Sequence, residues 1–235
     1  MCDLPGWHYD DMRQVGVDFE SPREVEAYDR NQGSDPAEDR DLLKRLGVRP
    51  DHVVIDFGCG TGLLLLAAAR MARQVHAVDV SAPMLDFARN RASAAGMSNI
   101  AFHRAGFLTY RHDGEPADLV FTRYAFHHLP DFWKVAALRR MAKMLKPGGR
   151  LYLKDVVYSF PPDEYEAGIE GWIDRVARPE GSGFTRRDFQ THVREEFSTY
   201  GWLLEEMFRR TGFRIESADY LDDAYAEYIC VKPGG

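Results

Sequence analysis

Short β-branched runs alternate with helical stretches through the middle of the chain. This alternation is typical of a parallel sheet whose strands are joined by crossover helices. The pattern predicts strands at residues 53–57, 74–78, 100–104, 119–122 and 150–157. It predicts intervening helices at residues 61–73, 83–95 and 132–145. We therefore expect an α/β fold.

The last third of the chain predicts one long helix at residues 187–211, followed by strands at 213–220 and 225–232. A turn at Asp222-Asp223 separates the two strands, so we expect them to pair as a hairpin. Residues 159–188 form a long connection with Pro161-Pro162 and Gly181-Ser182-Gly183. We interpret it as a lid insertion whose glycines serve as hinges, with a surface excursion as the alternative.

The first fifty residues are polar and interrupted by glycine and proline, yet they carry aromatic side chains. We expect residues 1–50 to form a cap over a single α/β domain at residues 51–235. Within the cap, Asp35-Pro36-Ala37-Glu38 has the pattern of a helix start, with an N-cap, a proline at the first position and acids in the first turn. The predicted helix ends near Gly47.

Composition narrows the class of protein. The 235 residues are 45% hydrophobic, which is enough for one core, and 30 basic against 37 acidic residues give a net charge of −7. This charge disfavours a nucleic-acid partner. The longest apolar run, residues 62–69, is far short of the roughly 20 residues that a membrane span needs. Three cysteines without a CxxC pair favour a reducing compartment, and we expect a cytoplasmic protein.

A glycine-rich turn follows the first predicted strand. The segment Val53-Val54-Ile55-Asp56-Phe57-Gly58-Cys59-Gly60-Thr61-Gly62 places bare α-carbons where a ligand can approach the backbone and a helix begins. A dinucleotide loop would carry a glycine where this chain has Leu63. Asp56 would also repel a pyrophosphate. S-adenosylmethionine has cationic groups and no phosphate, so the spacing favours that ligand over a nicotinamide cofactor.

The second predicted strand also ends in an acid. Asp79 follows the glycine turn by about twenty residues, at the place where a carboxylate can accept hydrogen bonds from both ribose hydroxyls. A helix-capping role is the alternative for Asp79. The glycine turn and the acid in this order are a stronger signal than either alone.

The chain resembles the class I S-adenosylmethionine-dependent methyltransferases, particularly those similar to the ubiquinone and menaquinone biosynthesis enzymes. The resemblance covers about residues 51–157 and rests on four blocks in the expected order. These blocks are the glycine segment above, Val78-Asp79-Val80-Ser81 with Met84-Leu85, Asp118-Leu119-Val120-Phe121 with Phe126-His127-His128-Leu129, and Leu145-Lys146-Pro147-Gly148-Gly149-Arg150-Leu151.

The resemblance implies a Rossmann-like, seven-stranded, mostly parallel sheet in a three-layer sandwich, with the last strand antiparallel and inserted between its predecessors. It implies S-adenosyl-L-methionine as cofactor and S-adenosyl-L-homocysteine as product. The residues expected to bind the cofactor are Asp56, Gly58, Cys59, Gly60, Asp79, Val80, Gly106, Phe107, Thr122, Arg123 and Tyr28.

Each part of the cofactor has its expected neighbours. The resemblance places Gly58 and Gly60 along the methionine part, with Asp56 near it through water, and Tyr28 in a segment that closes over it. The usual acid after the third strand is missing, so Phe107 or backbone amides are expected to hold the adenine. At the fourth strand's end, Thr122 and Arg123 are candidates for the cofactor's ammonium and carboxylate. A solvated surface charge is the alternative for Arg123.

Candidates for a general base are His127, His128 and Tyr9, although methyl transfer from a sulfonium needs a base only for some acceptors. A structural role at the start of the next helix is the alternative for the two histidines. Aromatic residues are expected near the carboxyl ends of the strands, some of them in the core. They are Tyr124, Phe126, Trp133, Tyr158, Phe160 and Trp172.

The leading hypothesis is methyl transfer to a small-molecule acceptor by in-line displacement in a dry aromatic pocket. A non-catalytic S-adenosylmethionine-binding module is the alternative. Base-modifying methyltransferases carry Asn or Asp followed by Pro-Pro after the fourth strand, where this chain reads Thr122-Arg123-Tyr124-Ala125. No acidic cluster of the metal-dependent catechol type is recognisable, so no metal ion is expected.

Overall fold

The computed structural model describes residues 5–13, 15–16, 19–32 and 35–234. The parts of the predicted cap that fall on residues 1–4, 14, 17–18 and 33–34 lie outside this description. The helices are α1 Pro22–Gln32, α2 Pro36–Arg45, α3 Leu63–Ala69, α4 Ala82–Ala94, α5 Asp131–Met144, α6 Tyr165–Val176, α7 Arg186–Glu195 and α8 Gly201–Arg210. The strands are β1 Val53–Phe57, β2 Gln74–Asp79, β3 Ile100–Arg104, β4 Ala117–Arg123, β5 Leu145–Tyr158, β6 Thr199–Tyr200, β7 Arg214–Leu221 and β8 Tyr225–Val231.

The sheet has the strand order β3-β2-β1-β4-β5-β8-β7, and the two-residue β6 pairs with the end of β5. Strands β1 to β5 run parallel to one another, whereas β8 is inserted antiparallel between β5 and β7. The predicted Rossmann-like sheet and its C-terminal hairpin are therefore confirmed, with β6 as an addition.

Two apolar cores lie on opposite faces of the sheet because side chains alternate along each strand. In β1, Ile55 and Phe57 belong to the core that includes Leu138 of α5 and Phe208 of α8. Val54 belongs to the other core, with Leu43 of α2 and residues of α3 and α4. Helices on both faces of one sheet make three layers.

The register aligns the carboxyl ends of the central strands. Phe57 at the end of β1 pairs with Val78 of β2 and with Thr122 of β4. The chain after β1 then turns onto β2, since the amides of Gly58 and Cys59 donate to the carbonyl of Val78 at 2.8 and 3.2 Å. The turns after β1, β2 and β4 therefore meet at one edge of the sheet.

The prediction of one long helix at residues 187–211 was wrong, because this region contains two helices, α7 and α8, separated by β6. Helix α7 begins with a capping box between Thr185 and Asp188, and it ends before Glu196, which is extended. The Phe197 amide then donates to the His127 carbonyl at 2.8 Å, and Thr199–Tyr200 pairs with β5. No glycine or proline lies between Glu195 and Tyr200, so these tertiary hydrogen bonds, rather than a local breaker, divide the helix.

The connection at residues 159–188 contains a helix with its own core. Trp172 and Ile173 of α6 are buried against Tyr158 and Phe160 at the end of β5. The loop after α6 is closed by the Arg178 amide, which donates to the Phe184 carbonyl at 2.8 Å. Among the residues that the structure describes, no helix has the length and apolar character needed to cross a membrane.

Candidate functional site

Three adjoining cavities open at the carboxyl edge of the sheet. Cavity A, of about 780 Å³, is lined mainly by Asp11, Phe57, Gly58, Gly60, Asp79, Val80, Gly106 and Phe107. Cavity B, of about 840 Å³, is lined mainly by Asp39, Asp56, Gly58, Cys59, Gly60, Arg123 and Lys154. Cavity C, of about 990 Å³, is lined mainly by Phe19, His127, His128, Phe184, Phe189, His192, Glu196 and Tyr225. Tyr28 and Tyr124 line all three.

The glycine turn has left-handed backbone at Gly58, with φ +67°, and at Gly60, with φ +51°. A Cβ atom on Gly58 would lie 2.4 Å from the Cβ of Ala125, whereas a Cβ on Gly60 has Tyr28 Cε1 as its nearest neighbour, at 3.8 Å. Gly58 is therefore required by the packing of the turn after β4. The bare α-carbon that opens toward the cleft is Gly60.

Asp79 supports the glycine turn from the end of β2. One carboxylate oxygen accepts the Gly60 amide and the other accepts the Ser81 amide, both at 2.9 Å. Burial raises the pKa of Asp79, while these backbone donors oppose the rise. A carboxylate has about four lone-pair sites, so each oxygen retains capacity toward cavity A. Val80 lies beside it in the same wall.

Cavity B holds opposed charges beneath the glycine turn. Burial raises the pKa of Asp56 well above its usual value, and nearby Arg123 acts in the opposite direction. Arg123 is partly buried and its Nη1 donates to Asp39 at 2.9 Å, so it is not a solvated surface charge. The buried Cys59 lines this cavity. Thr122 is fully buried and lies outside the cavity linings.

An acid from the N-terminal segment enters cavity A next to the end of β3. Asp11 is 8% exposed, and its Oδ2 accepts the Leu108 amide at 2.6 Å. Its Oδ1 is buried and has no hydrogen-bond partner among the described residues. A Cβ on Gly106 would lie 2.2 Å from Asp11 Oδ2, so the glycine makes room for this carboxylate. Burial raises the pKa of Asp11.

Sequence reasoning missed Asp11 because its partner lies 97 residues away along the chain. The available signal was Gly106, a glycine at the place where an acid was expected. Phe107, the predicted adenine neighbour, does line cavity A and stacks on Phe57 with ring centroids 5.1 Å apart.

Tyr124 stands at the point where the three cavities meet. It has φ +52°, a left-handed conformation that costs a non-glycine residue about 1–3 kcal/mol. Its amide donates to the Lys154 carbonyl at 2.8 Å, which fixes the turn after β4. Burial raises the pKa of the Tyr124 hydroxyl to about 12. A strained residue held by the sheet at a cleft is typical of functional sites.

Most of the other expected aromatic residues belong to the core. Phe126 packs edge-on against Phe107, and Tyr158, Phe160 and Trp172 form the small core beneath α6. Trp133 packs against Tyr9 and His8 of the N-terminal segment. The aromatic wall of cavity C is formed by Phe19, Tyr28, Tyr124, Phe184, Phe189 and Tyr225.

The two histidines after β4 have different surroundings. His127 is buried between two carboxylates: its Nδ1 lies 2.5 Å from Asp155 Oδ1, and its Nε2 lies 3.2 Å from Glu196 Oε2. Burial disfavours the charged ring, but Asp155 and Glu196 outweigh it and raise the pKa of His127 to about 10. His128 lines both cavity A and cavity C, and burial lowers its pKa to about 3.

Tyr9 is set back from the cavities. Its hydroxyl donates to the backbone carbonyl of His128 at 3.4 Å, and its ring packs against Trp133. Burial raises the pKa of the Tyr9 hydroxyl. The structure therefore brings His127 and His128 to the cleft and places Tyr9 behind them.

Comparisons with known proteins agree with this geometry. Residues 54–149 match the family described as a methyltransferase domain. An uncharacterized methyltransferase of Geobacillus kaustophilus is 28% identical over 83% of this chain and 85% of its own length. The 27-O-demethylrifamycin SV methyltransferase of Amycolatopsis mediterranei is 31% identical over 66% of this chain and 56% of its own length.

The fold is also similar to solved structures. A magnesium protoporphyrin IX methyltransferase from Synechocystis with bound SAH superposes with a TM-score of 0.66, covering 91% of this chain and 96% of that one at 16% identity. A SAM-dependent methyltransferase from Aquifex aeolicus gives a TM-score of 0.64, covering 90% and 98% at 16% identity.

Proposed function

Because this chain belongs to the class I S-adenosylmethionine-dependent methyltransferases, we propose that it methylates a small aromatic or apolar molecule bound in cavity C. The observation that carries this proposal is the junction of the cavities. Cavity A contains the glycine turn and Asp79, and it shares Tyr28, Tyr124 and His128 with the aromatic cavity C. A donor in one cavity and an acceptor in the other would therefore meet beside these three residues.

The residues of cavities A and B fit the cofactor. Asp79 has lone pairs for the ribose hydroxyls, and the unpartnered Asp11 Oδ1 suits the amino group of the adenine. The ring of Phe107 provides an apolar surface for the base. In cavity B, Asp56 and Arg123 offer charges opposite to the ammonium and carboxylate of the methionine end. The bound cofactor would supply an electrophilic methyl group on a sulfonium.

Cavity C favours a flat acceptor with a hydroxyl group. Six aromatic rings line it, from Phe19, Tyr28, Tyr124, Phe184, Phe189 and Tyr225. Such walls exclude water and orient an acceptor for in-line displacement. His128 lines both cavities, and its buried Nδ1 has no partner in the described part of the chain, so we assign it the role of accepting a hydrogen bond from the hydroxyl group and orienting it. His127 positions this histidine turn, and Tyr9 supports it from behind.

The N-terminal segment and the 159–188 connection would close the site together. The rings of Tyr28, in α1, and Phe184 lie 6.2 Å apart in an edge-to-face arrangement. We propose that residues 1–50 act as a cap and residues 159–188 as a lid on the domain formed by residues 51–235. Both cover the line along which the methyl group would travel.

Two measurements test the proposed function. Calorimetry with S-adenosylmethionine and S-adenosylhomocysteine is expected to show one site per chain. Incubation with methyl-labelled cofactor and a panel of phenols, aliphatic alcohols, amines and thiols is expected to label aromatic hydroxyl compounds preferentially. Cofactor binding without transfer to any small molecule would favour a non-catalytic binding module, and labelling of nucleic acid or protein alone would contradict the proposed acceptor class.

A further inference from the structure

Three ligand-type side chains converge on one point in the wall of cavity C. They are His127, after β4, and His192 and Glu196, at the end of α7. One nitrogen of each imidazole and one carboxylate oxygen all lie within 4.8 Å of one another. Glu196 Oε2 is 3.2 Å from His127 Nε2 and also contacts His192 Nδ1. Two imidazoles and one carboxylate are a common ligand set for divalent transition metals.

The other nitrogen of each ring already has a hydrogen-bond partner. His127 Nδ1 lies 2.5 Å from Asp155 Oδ1, and His192 Nε2 lies 2.8 Å from the Ser198 hydroxyl. Asp155 is itself fixed by the amides of His127 and Val156, at 3.0 and 2.7 Å. Metal-ligating histidines characteristically donate their second N–H to such a partner, which sets the tautomer and the orientation of the ring.

The charges are also consistent with a dication. Asp155 and Glu196 are two buried carboxylates in one cluster, and buried charges are costly unless they are compensated. Lys134, whose amine donates to Asp131 at 2.9 Å and to the Phe197 carbonyl, also contributes positive charge near Asp155. Asp155 and Glu196 flank His127 and favour a positive charge between them, which either a proton on the ring or a divalent ion with two neutral imidazoles can supply.

We propose that His127, His192 and Glu196 form a three-ligand site for a divalent transition metal in the wall of cavity C. Binding would release any protons on His127 Nε2 and His192 Nδ1 to solvent, because the ligand atoms must be free. Because all three ligands line cavity C, water or an acceptor oxygen from that cavity would complete the coordination. This last part rests on the proposed function, since it makes the acceptor a hydroxyl compound that coordinates the metal and loses its proton more easily.

The site reverses the expectation from sequence that no metal is bound. His127 lies 65 residues before His192 in the sequence, so no spacing motif predicts the site. His192 and Glu196 are four residues apart within the helix that was predicted at residues 187–211, and neither was singled out from the sequence.

Cobalt titration of the full chain tests the proposal. After dialysis against a chelator, Co²⁺ is expected to bind one ion per chain, with visible ligand-field absorption and paramagnetically shifted imidazole N–H resonances. Glu196→Gln and His192→Ala are each expected to weaken Co²⁺ binding by about 100-fold, and Ser198→Ala by about tenfold because it frees the second nitrogen of His192. Zn²⁺ is expected to displace Co²⁺ and abolish the colour.

Matched variants serve as controls. Glu195→Gln removes the adjacent glutamate, which pairs with Arg194 at the surface, and His103→Ala disrupts a separate histidine pair with His76. Both are expected to leave Co²⁺ affinity unchanged. Absence of stoichiometric Co²⁺ binding in the wild type, or equal affinity in Glu196→Gln, would show that the cluster is only a hydrogen-bonded network.

Cofactor calorimetry on the same samples separates this proposal from the proposed function. If the chain binds S-adenosylmethionine but does not bind Co²⁺, the metal site alone would be overturned. Binding of Co²⁺ without S-adenosylmethionine would support the metal site and overturn the proposed assignment of cavities A and B. The wild-type cobalt spectrum decides the question even if a ligand variant fails to fold.

Discussion

Cavities A and C lie on either side of Tyr124, but they are built in different ways. Most of the residues that we assign to the cofactor in cavity A come from the turns after β1, β2 and β3, within about fifty residues of the chain. Cavity C combines α1, the turn after β4, the 159–188 connection, α7 and β8. A donor site made by one local motif and an acceptor site made from distant segments can change independently, which is how one fold serves many acceptors.

Loss of the Asp79 carboxylate is expected to cause the largest loss of cofactor affinity. Asp79→Ala would remove the acceptors for the ribose and for the Gly60 amide, weakening S-adenosylmethionine binding by about 100-fold, at roughly 1.5–3 kcal/mol per charge-assisted bond. Calorimetry measures the change. Asp86→Ala, at an exposed position of α4, is the control. An unchanged affinity in Asp79→Ala would remove Asp79 from the cofactor site.

A smaller loss is expected when Gly60 acquires a side chain. Gly60→Ala would place a methyl group in the wall shared by cavities A and B, opposite Tyr28. We expect about 30-fold weaker cofactor binding. The left-handed backbone contributes about 1 kcal/mol of strain to this loss. Gly96→Ala introduces similar strain, at φ +67°, where nothing lies within 4 Å. Equal cofactor affinities in the two variants would mean that Gly60 does not face the ligand.

Asp11 is an acidic residue that the N-terminal segment contributes to cavity A. Asp11→Asn would leave one acceptor for two donors, the Leu108 amide and the adenine amine, so about tenfold weaker binding is expected. A cofactor analogue with a carbonyl in place of the adenine amine should bind the wild type more weakly than the cofactor does. In Asp11→Asn, the difference in affinity between the cofactor and this analogue should be smaller. Asp10→Asn is the adjacent control. Undiminished discrimination in Asp11→Asn would contradict the adenine contact.

The smallest change is expected from a substitution in cavity C, which should alter acceptor binding but not cofactor affinity. Phe189→Ala would remove one ring of the aromatic wall, raising KM for an identified acceptor about fivefold through lost contact area. The dissociation constant of S-adenosylmethionine should stay the same. Trp202→Ala, at an exposed ring on α8, is the control. A matching loss of cofactor affinity would show that the two cavities are not separable.

The same contrast explains which predictions from the sequence succeeded. The helices and strands of residues 53–157 were predicted to within a few residues, apart from the shorter α3 and longer β5, because hydrophobic period, caps and glycines act locally. The hairpin of β7 and β8 was predicted from the turn at Asp222-Asp223. The break at Glu196 was missed because it depends on hydrogen bonds to His127 and to β5. The residues next to Glu196 in the sequence contain no signal for these hydrogen bonds.

The cofactor side of the site followed the same rule. Asp79, Gly60 and Phe107 line cavity A because each lies at or just after the end of a strand in a parallel sheet. Thr122 also ends a strand, but alternation turned its side chain into the core. Gly58 was chosen for ligand space, yet its bare α-carbon chiefly accommodates Ala125.

The sequence by itself determined the parallel sheet, the glycine turn and the acid of the donor site, since a few adjacent residues dictate backbone conformation and the strand ends fix their position. Only the tertiary structure decided that Asp11 fills the place beside Gly106, that Phe184 and Phe189 rather than Trp172 wall cavity C, and that His127 meets His192 and Glu196. These contacts join segments far apart in the chain. Their formation depends on long-range packing and on the burial of charge, and neither leaves a periodic mark in the order of the amino acids.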